Sequence, residues 1–257
     1  MTIDRFEEPL SEADSEGFLS SRTALVTGGA RRIGRELALS LAVEGAHVIV
    51  HYNTSGDEAR QLVREIEGFG GSADSISGDL SEAATAVGLV AEAAKLCGNP
   101  IDILINNASS FVRCGAVETS VEQWDELQAV NLRAPFLLAQ GFAKQLPSQW
   151  SGDILNLNDA HALHGEIVHF GYTITKVGLH GLTQNLAHAL APRIKVNELS
   201  LGAVMAPDGD YVKTPKSELP LGRFPQLDEV ISGMMFLLGT PGVTGQTISL
   251  DGGQFQG

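Results

Sequence analysis

The stretch Thr23-Ala-Leu-Val-Thr-Gly28-Gly-Ala-Arg-Arg-Ile-Gly34 joins a short apolar, β-prone run to a glycine turn. An apolar-periodic segment from Ile33 to Val43 follows the turn and predicts a helix. A strand, a glycine turn and a helix in this order open a dinucleotide-binding βαβ unit, because small residues let the backbone approach a pyrophosphate at the helix N-terminus. The stretch therefore predicts a nucleotide site at the start of an α/β domain, rather than a purely structural turn.

The remaining chain alternates between apolar β-prone runs and helix-like segments. Strand-like runs fall at 46–51, 73–77, 101–105, 154–157 and 194–197, and helix-like segments at 57–68, 82–97, 121–146 and around Tyr172. Such alternation indicates parallel strands joined by right-handed crossovers. We predict an α/β fold with one open, doubly wound sheet.

Composition restricts the partners and the location of the protein. The chain has 257 residues and a formal charge of −14, which disfavours nucleic acid or an anionic membrane as a partner. Cys97 and Cys114 are too few for a disulfide framework or a metal site, so no metal is expected. No apolar stretch could span a bilayer, and we expect a cytoplasmic enzyme acting on a small molecule.

The N-terminal residues differ in composition from the rest of the chain. Residues 1–21 are acidic and rich in Ser and Glu, and they lack the basic and apolar regions of a signal peptide. We predict a flexible leader at 1–21 and one domain at 22–257. Within that domain, residues 202–227 are rich in proline, and a segment of this length predicts a loop that covers the substrate.

The segment after the second strand indicates which dinucleotide binds. The strand ends at His51, and Tyr52-Asn53-Thr54-Ser55 follows without an acid that would bind ribose hydroxyls and repel a 2′-phosphate. Arg31 and Arg32 lie in the preceding glycine turn. This combination favours NADP(H) over NAD, although small polar residues could also simply form a turn.

Tyr172 and Lys176 form a possible catalytic pair. Four residues apart on a helix, they share a face, so the ammonium can approach the phenol and favour its phenolate form. The pair alone also fits a solvated helix face. Polar residues follow successive strands at the same sheet edge, as in Asp79-Leu80, Asn106 to Phe111, Asn158-Asp159 and Gly202-Ala203. Ligands bind at that edge of a doubly wound sheet, which favours a catalytic site.

Together, these residues resemble the short-chain dehydrogenase/reductase family. The glycine turn, Asp79, Asn106-Asn107-Ala108, Asn131, Tyr172 and Lys176, and the closing Thr244-Gly245 and Leu250-Asp251-Gly252-Gly253 carry the resemblance. It implies a Rossmann fold with a mostly parallel seven-stranded sheet, and a homotetramer or homodimer. It also implies that Tyr172 donates a proton, that Lys176 holds the nicotinamide ribose, and that Asn131 supports a water relay to Lys176. The expected cofactor-binding residues are Gly28, Arg31, Arg32, Ile33, Gly34, His51, Asn53, Thr54, Ser55, Asp79, Leu80, Asn107, Ala108, Ser109, Lys176 and Gly202.

Departures from the family pattern resemble its pteridine reductase branch. Asp159 stands where most members have serine, Arg32 where they have glycine, and Ser109 where glycine follows Asn-Asn-Ala. The resemblance implies that Arg32, Ser109, Phe111, Asp159 and Tyr172 bind substrate, with Phe111 stacking on a pterin ring. Leu201-Gly202 replaces the usual Pro-Gly, so the substrate-side loop departs from the family pattern.

The chemistry of Asp159 favours the same branch. A carboxylate would repel the negative charge that develops on the oxygen of a reduced ketone, whereas the donors of an amino-pyrimidine edge can be accepted in pairs. Asp159 could also merely end a strand, and Phe111 could be a core residue. His161, His164 and His169 are interpreted as loop residues near the pocket rather than as metal ligands.

We therefore predict an NADPH-dependent reductase of a ring C=N in a pterin or dihydrofolate-like substrate. A carbonyl or 3-oxoacyl reductase of the same family is the alternative, and a noncatalytic NADP-binding sensor is a further one. The sequence does not identify the preferred pterin or folate.

Overall fold

A computed structural model describes residues 17–164, 168–204 and 219–255. The strands are β1 (Thr23–Val26), β2 (His47–Tyr52), β3 (Ser72–Ser77), β4 (Ile103–Asn106), β5 (Gly152–Asp159), β6 (Ile194–Leu201) and β7 (Thr247–Leu250). The helices are α1 (Arg32–Val43), α2 (Gly56–Gly68), α3 (Ala83–Cys97), α4 (Val121–Gln128), α5 (Ala134–Gln145), α6 (Phe170–Leu190) and α7 (Leu227–Gly239).

The strands form one seven-stranded sheet in the order β3-β2-β1-β4-β5-β6-β7. Every strand pairing in the described ranges is parallel. Leu25 of β1 aligns with Ile49 of β2 on one side and with Leu104 of β4 on the other. The strand order therefore reverses at β1, which is where ligands bind in doubly wound sheets. The predicted α/β Rossmann fold is confirmed.

Alternating residues of the buried strands contact helices on opposite faces of the sheet. Ala24 and Val26 pack in one core with α1, α2 and α7, whereas Leu25 packs in a second core with α3, α5 and α6. This follows from the two-residue period of a strand, and both faces are apolar because both are covered. Packing on both faces holds the strands in place, and with them the polar residues that follow the strands at one edge of the sheet.

The predicted helix at 121–146 is interrupted in its middle. A π-helical turn at Ala129–Arg133 separates α4 from α5. Asn131 lies in this turn and is almost fully buried. A π turn adds a residue to the helix and redirects the side chains around it, and such turns are frequent at functional sites.

The boundary of the predicted leader is wrong in its last residues. Leu19 is fully buried, and its backbone N–H donates to the Glu44 carbonyl at 3.0 Å. Residues 17–21 therefore pack with the domain, because burial of the apolar Leu19 side chain stabilises this segment. Residues 1–16, and residues 205–218 of the predicted substrate loop, lie outside the described residues. None of the described helices is long and apolar enough to cross a membrane.

Candidate active site

The glycine turn after β1 packs closely against the end of β4. Gly28 has a φ of +60°, and a Cβ there would lie 3.0 Å from the Ala108 Cα. A Cβ on Gly34 would overlap the Gly28 carbonyl oxygen and the Asn107 side chain. Asn107 Nδ2 donates to the carbonyls of Thr27 and Gly28 at 2.9 and 3.0 Å. Only glycine therefore fits these two positions, and Asn107 supports the turn.

His51 holds the same turn from the opposite side. Its Nδ1 accepts from the Gly28 N–H at 3.2 Å, and its Nε2 lies 3.0 Å from the Gly78 carbonyl, to which it donates. Burial lowers the pKa of His51 to about 4, although the hydrogen bond to Gly78 opposes this shift. The ring is therefore neutral near pH 7. His51 was predicted to bind the cofactor, and the structure shows that it supports the backbone that would do so.

A cleft of about 490 Å³ lies over the ends of β1 to β4. It is lined by Gly28, His51, Asn53, Gly78, Asp79, Leu80, Ser81, Ala108, Ser109, Ser110, Glu126 and Val130. Seven of the predicted cofactor residues are in this set. Asp79 accepts from the Ser81 N–H at 2.9 Å, and hydrogen bonds from Ser81 lower the pKa of this carboxyl. Glycines and polar side chains line this cleft together, and such a lining fits a dinucleotide.

Arg32 has an unusual backbone conformation. Its φ is +54°, in the left-handed region that favours glycine, whereas Arg31 before it is extended with a φ of −141°. Such a conformation costs an arginine roughly 1 to 2 kcal/mol. Both side chains are exposed and line a groove between α1 and α2, together with Arg35. The structure therefore places two cations beside the glycine turn.

The remaining predicted cofactor residues lie around the cleft without lining it. Thr54 and Ser55 follow β2, and Ser55 immediately precedes α2. Ile33 is half-buried and packs against the core. Gly202 donates its N–H to the Leu250 carbonyl at 2.8 Å, and a Cβ there would lie 2.9 Å from the Asp251 Cα. These contacts explain their local structure, and their contacts with a cofactor remain predictions.

The structure brings Tyr172 and Asp159 into direct contact. The Tyr172 hydroxyl donates to Asp159 Oδ2 at 3.1 Å. Lys176 is buried, lies 5.7 Å from the centre of the Tyr172 ring, and donates to the Leu157 carbonyl at 2.9 Å. Burial lowers the pKa of Lys176 to about 8, while the charges of Asp159 and Glu198 oppose the shift. Phenol, carboxylate and ammonium therefore form one electrostatic unit.

Asp159 also binds a residue that the sequence analysis assigned only to a loop. Its Oδ1 accepts from the His161 N–H at 2.8 Å and lies 3.0 Å from the His161 Nδ1. Burial raises the pKa of Asp159, but the hydrogen bonds and charge of His161, with the charge of Lys176, hold it below its ordinary value. Asp159 is therefore a carboxylate near pH 7. An Asp that accepts from the N–H two residues onward is a common turn, so the sequence contained this signal.

Asn131 connects the loop after β4 to α6. Its Oδ1 accepts from the Ser110 N–H at 2.8 Å and from the Ser109 hydroxyl at 3.2 Å. Its Nδ2 donates to the Ser110 carbonyl at 2.9 Å and to the Thr175 hydroxyl at 3.1 Å. These bonds orient the loop beside Tyr172. The expected support of Asn131 for a water relay to Lys176 remains a prediction. Ser110 belongs to the run Asn106 to Phe111 that the sequence placed at this edge, whereas Thr175 was missed because an ordinary polar residue on a helix gave no signal.

Phe111 lies at the pocket rather than in the core. It is 52% exposed, and its ring centre lies 4.7 Å from that of Tyr172 and 4.4 Å from that of His169. The pocket is lined by Phe111, Asp159, His161, Ala162, His169, Tyr172 and Thr173. An exposed aromatic ring beside a phenol and a carboxylate can hold a flat heterocycle. Arg32 and Ser109 were also predicted to bind substrate, but they are not among the residues that line this pocket.

The fold and this arrangement agree with the family comparison. A family model described as short chain dehydrogenase matches residues 22–214. The chain therefore belongs to the short-chain dehydrogenase family and is an oxidoreductase of that family. The predicted resemblance is confirmed.

Individual relatives differ in their names. FolM alternative dihydrofolate reductase 1 from Brucella canis, solved with NADP, shares 36% identity at a TM-score of 0.84, over 91% of this chain and 93% of that chain. A short chain dehydrogenase from Burkholderia cenocepacia, also solved with NADP, shares 30% identity at a TM-score of 0.85, over 92% and 98%. The 3-oxoacyl-[acyl-carrier-protein] reductase FabG of Staphylococcus aureus shares 32% identity over 91% of this chain and 98% of that protein. The FolM similarity supports the pteridine reductase-like branch.

Proposed function

We propose that this protein is a reductase that transfers a hydride from NADPH to a ring C=N of a pterin or dihydrofolate-like substrate. One observation carries the proposal: Asp159 Oδ2 lies 3.1 Å from the Tyr172 hydroxyl, in a pocket that Phe111 also lines. A carboxylate, a phenol and an exposed aromatic ring match the donor edge, the basic nitrogen and the flat face of a pterin.

The cofactor is NADP(H), which is present in several solved relatives of this chain. When bound, it supplies the hydride. The residues directly after β2, Asn53 to Ser55, include no acid, and Arg31 and Arg32 beside the glycine turn favour a 2′-phosphate. These arginines also supply local positive charge to a chain whose formal charge is −14.

The protein groups perform the proton chemistry. Tyr172 donates its hydroxyl proton to the ring nitrogen as the neighbouring carbon is reduced. Asp159 accepts donors from the amino-pyrimidine edge and so fixes the ring against Phe111. The buried Lys176 places positive charge below the phenol and binds the nicotinamide ribose. Because Asp159 is anionic near pH 7, it binds substrate donors rather than an oxyanion.

A carbonyl or 3-oxoacyl reductase is the second candidate. The similarity to FabG over nearly the whole chain favours it. The carboxylate disfavours it, because a negative side chain beside the reacting oxygen would raise the energy of the transition state. The two functions therefore predict opposite effects of removing this charge.

The decisive measurement is NADPH oxidation by the purified protein with dihydrobiopterin, dihydromonapterin, dihydrofolate and a simple keto ester. We expect turnover with at least one of the three heterocycles and little with the ester. Efficient reduction of the ester alone would overturn the proposal. The same assay with no turnover of any substrate, in single-turnover conditions, would support a noncatalytic NADP-binding sensor.

The variant Asp159→Ser tests the origin of this preference. We expect the kcat/KM for the heterocycle to fall about 100-fold, since a paired charge-assisted contact is lost. Activity on the keto ester should hold or rise, because the serine hydroxyl can donate to the developing oxyanion. Asp228→Ser is the control, since Asp228 is an exposed residue at the start of α7. Equal losses on both substrates would contradict the assignment of Asp159 to substrate binding.

A further inference from the structure

The His161 ring lies between the Asp159 carboxylate and the ring of Phe255 near the C-terminus. We infer that His161 is a positioning residue that fixes the orientation of Asp159, so that one carboxylate oxygen remains available to Tyr172 and substrate. The inference rests on the proposed contact between Asp159 and substrate. This orienting role of His161 is distinct from the roles proposed for Tyr172 and Lys176.

The two oxygens of Asp159 have separate partners. Oδ1 receives both the backbone N–H of His161, at 2.8 Å, and the His161 ring nitrogen, at 3.0 Å. Oδ2 receives the Tyr172 hydroxyl at 3.1 Å. Because His161 occupies Oδ1 twice, the carboxylate cannot rotate without losing two hydrogen bonds. Oδ2 is thereby held toward Tyr172 and the pocket.

Phe255 restricts the movement of His161 from the other side. Its ring centre lies 4.7 Å from that of His161 in an edge-on arrangement, and 4.4 Å from that of His164 in a stacked arrangement. The Phe255 N–H donates to the Asp251 carboxylate at 3.0 Å, which anchors this segment to the end of β7. The C-terminal segment therefore holds the imidazole against Asp159.

Several charged or titratable groups surround this pair. Asp159 comes from β5, Tyr172 and Lys176 come from α6, and His164 lies across Phe255. Burial raises the pKa of Asp159, while His161 and Lys176 lower it. His161, whose side chain is 22% exposed, supplies the hydrogen bonds among these contributions. Its loss should therefore leave Asp159 easier to protonate.

The first test compares pH profiles of kcat/KM for wild type, His161→Leu and His161→Asn. In His161→Leu the acid limb should move to higher pH, with about a tenfold loss on the acid side that shrinks toward pH 8. His161→Asn retains a side-chain donor and should restore part of the loss. His164→Leu is the matched control, because His164 stacks on Phe255 and, within the described residues, makes no hydrogen bond to Asp159, so its profile should overlay wild type. A uniform loss at all pH values in His161→Leu would overturn the inference.

The second test does not depend on turnover. Carbon-13 NMR of the aspartate carboxyls in the cofactor-free protein, with Asp159 assigned by the loss of its signal in Asp159→Asn, gives its titration midpoint directly. We expect a higher midpoint in His161→Leu than in wild type, and an unchanged midpoint would overturn the inference. If wild type reduces only the keto ester, the proposed function fails, while this midpoint still decides the role of His161.

Discussion

On the cofactor side of the crevice, the glycine turn is held by close approach and hydrogen bonds to its backbone, whereas on the substrate side the pocket residues contact one another through their side chains. A Cβ at Gly34 would overlap the Asn107 side chain, one at Gly28 would lie 3.0 Å from the Ala108 Cα, and the hydrogen bonds of His51 within the described ranges go to backbone groups. On the other side, Asp159 and Tyr172 join through their side chains, and Phe111 is half-exposed. Steric fit therefore fixes the structure of the cofactor side, whereas charge and hydrogen bonding fix the structure of the substrate side.

This difference explains why the two sides carry different information. A dinucleotide site built from backbone can be shared by relatives with different substrates, since changes at other positions leave it intact. The substrate side can change its chemistry through one side chain, such as an acid in place of a hydroxyl. Relatives named as alternative dihydrofolate reductase and as 3-oxoacyl reductase, at 36% and 32% identity, are consistent with this division.

The largest effect is expected on the substrate side. Tyr172→Phe removes the phenol proton but keeps the ring beside Phe111, so kcat should fall about 1,000-fold. NADPH affinity, measured by fluorescence titration, should stay within about twofold, because the backbone of the other side is unchanged. A large loss of NADPH affinity would show that the two sides are not independent.

The next effect concerns the buried His51 on the cofactor side. Its pKa is about 4 in the folded protein and near 6.5 when unfolded, so the unfolded state binds the proton between these values. The stabilisation is complete above pH 6.5 and is lost as the pH falls toward 4, by about 3 kcal/mol at ~1.4 kcal/mol per unit. Urea unfolding of wild type and His51→Gln should therefore give a stability gap that shrinks by this amount from pH 7 to 4. A gap independent of pH would show that His51 is not held neutral.

The smallest effect concerns Arg32, which lies beside the glycine turn on the cofactor side. Arg32→Gly relieves the left-handed backbone, with φ +54°, and should raise the free energy of unfolding by about 0.5 to 1 kcal/mol after the entropic cost of glycine. The kcat/KM for the pterin should fall about tenfold if the guanidinium binds substrate. Arg31→Gly is the control, since its extended backbone stores no strain and should give no gain in stability. Urea unfolding and the NADPH assay measure both effects.

Much of the fold could be predicted from local sequence. The periodic apolar runs predicted strands and helices to within a few residues, because a two-residue or 3.6-residue period reflects burial on one or both faces. The interruption of the helix at Asn131 was missed although Pro135 marks it, since a proline has no N–H for the carbonyl of the residue four positions earlier, which is Asn131. The buried Leu19 was also missed, because its acidic surroundings resemble a leader.

The residue types of the candidate site could be predicted from the sequence, but the contacts between those residues could not. The residue types Asp159, Tyr172 and Lys176 at one sheet edge indicated the reaction, since strand order places them together. The hydrogen bond from His161 to Asp159 is local, whereas the edge-on contact of Phe255 with His161 joins residues 94 apart in the chain and could not be read from spacing.

The sequence by itself determined the sheet, the glycine turn and the acid in the position of a hydroxyl, because these follow from periodicity and residue type. Only the tertiary structure decided that Asp159 is shared between Tyr172 and His161, and that His51 hydrogen-bonds to the backbone at Gly28 and Gly78 where it lines the cleft. The physical reason is that hydrogen bonds and pKa shifts depend on distance and burial, which are properties of packed atoms rather than of spacing along the chain.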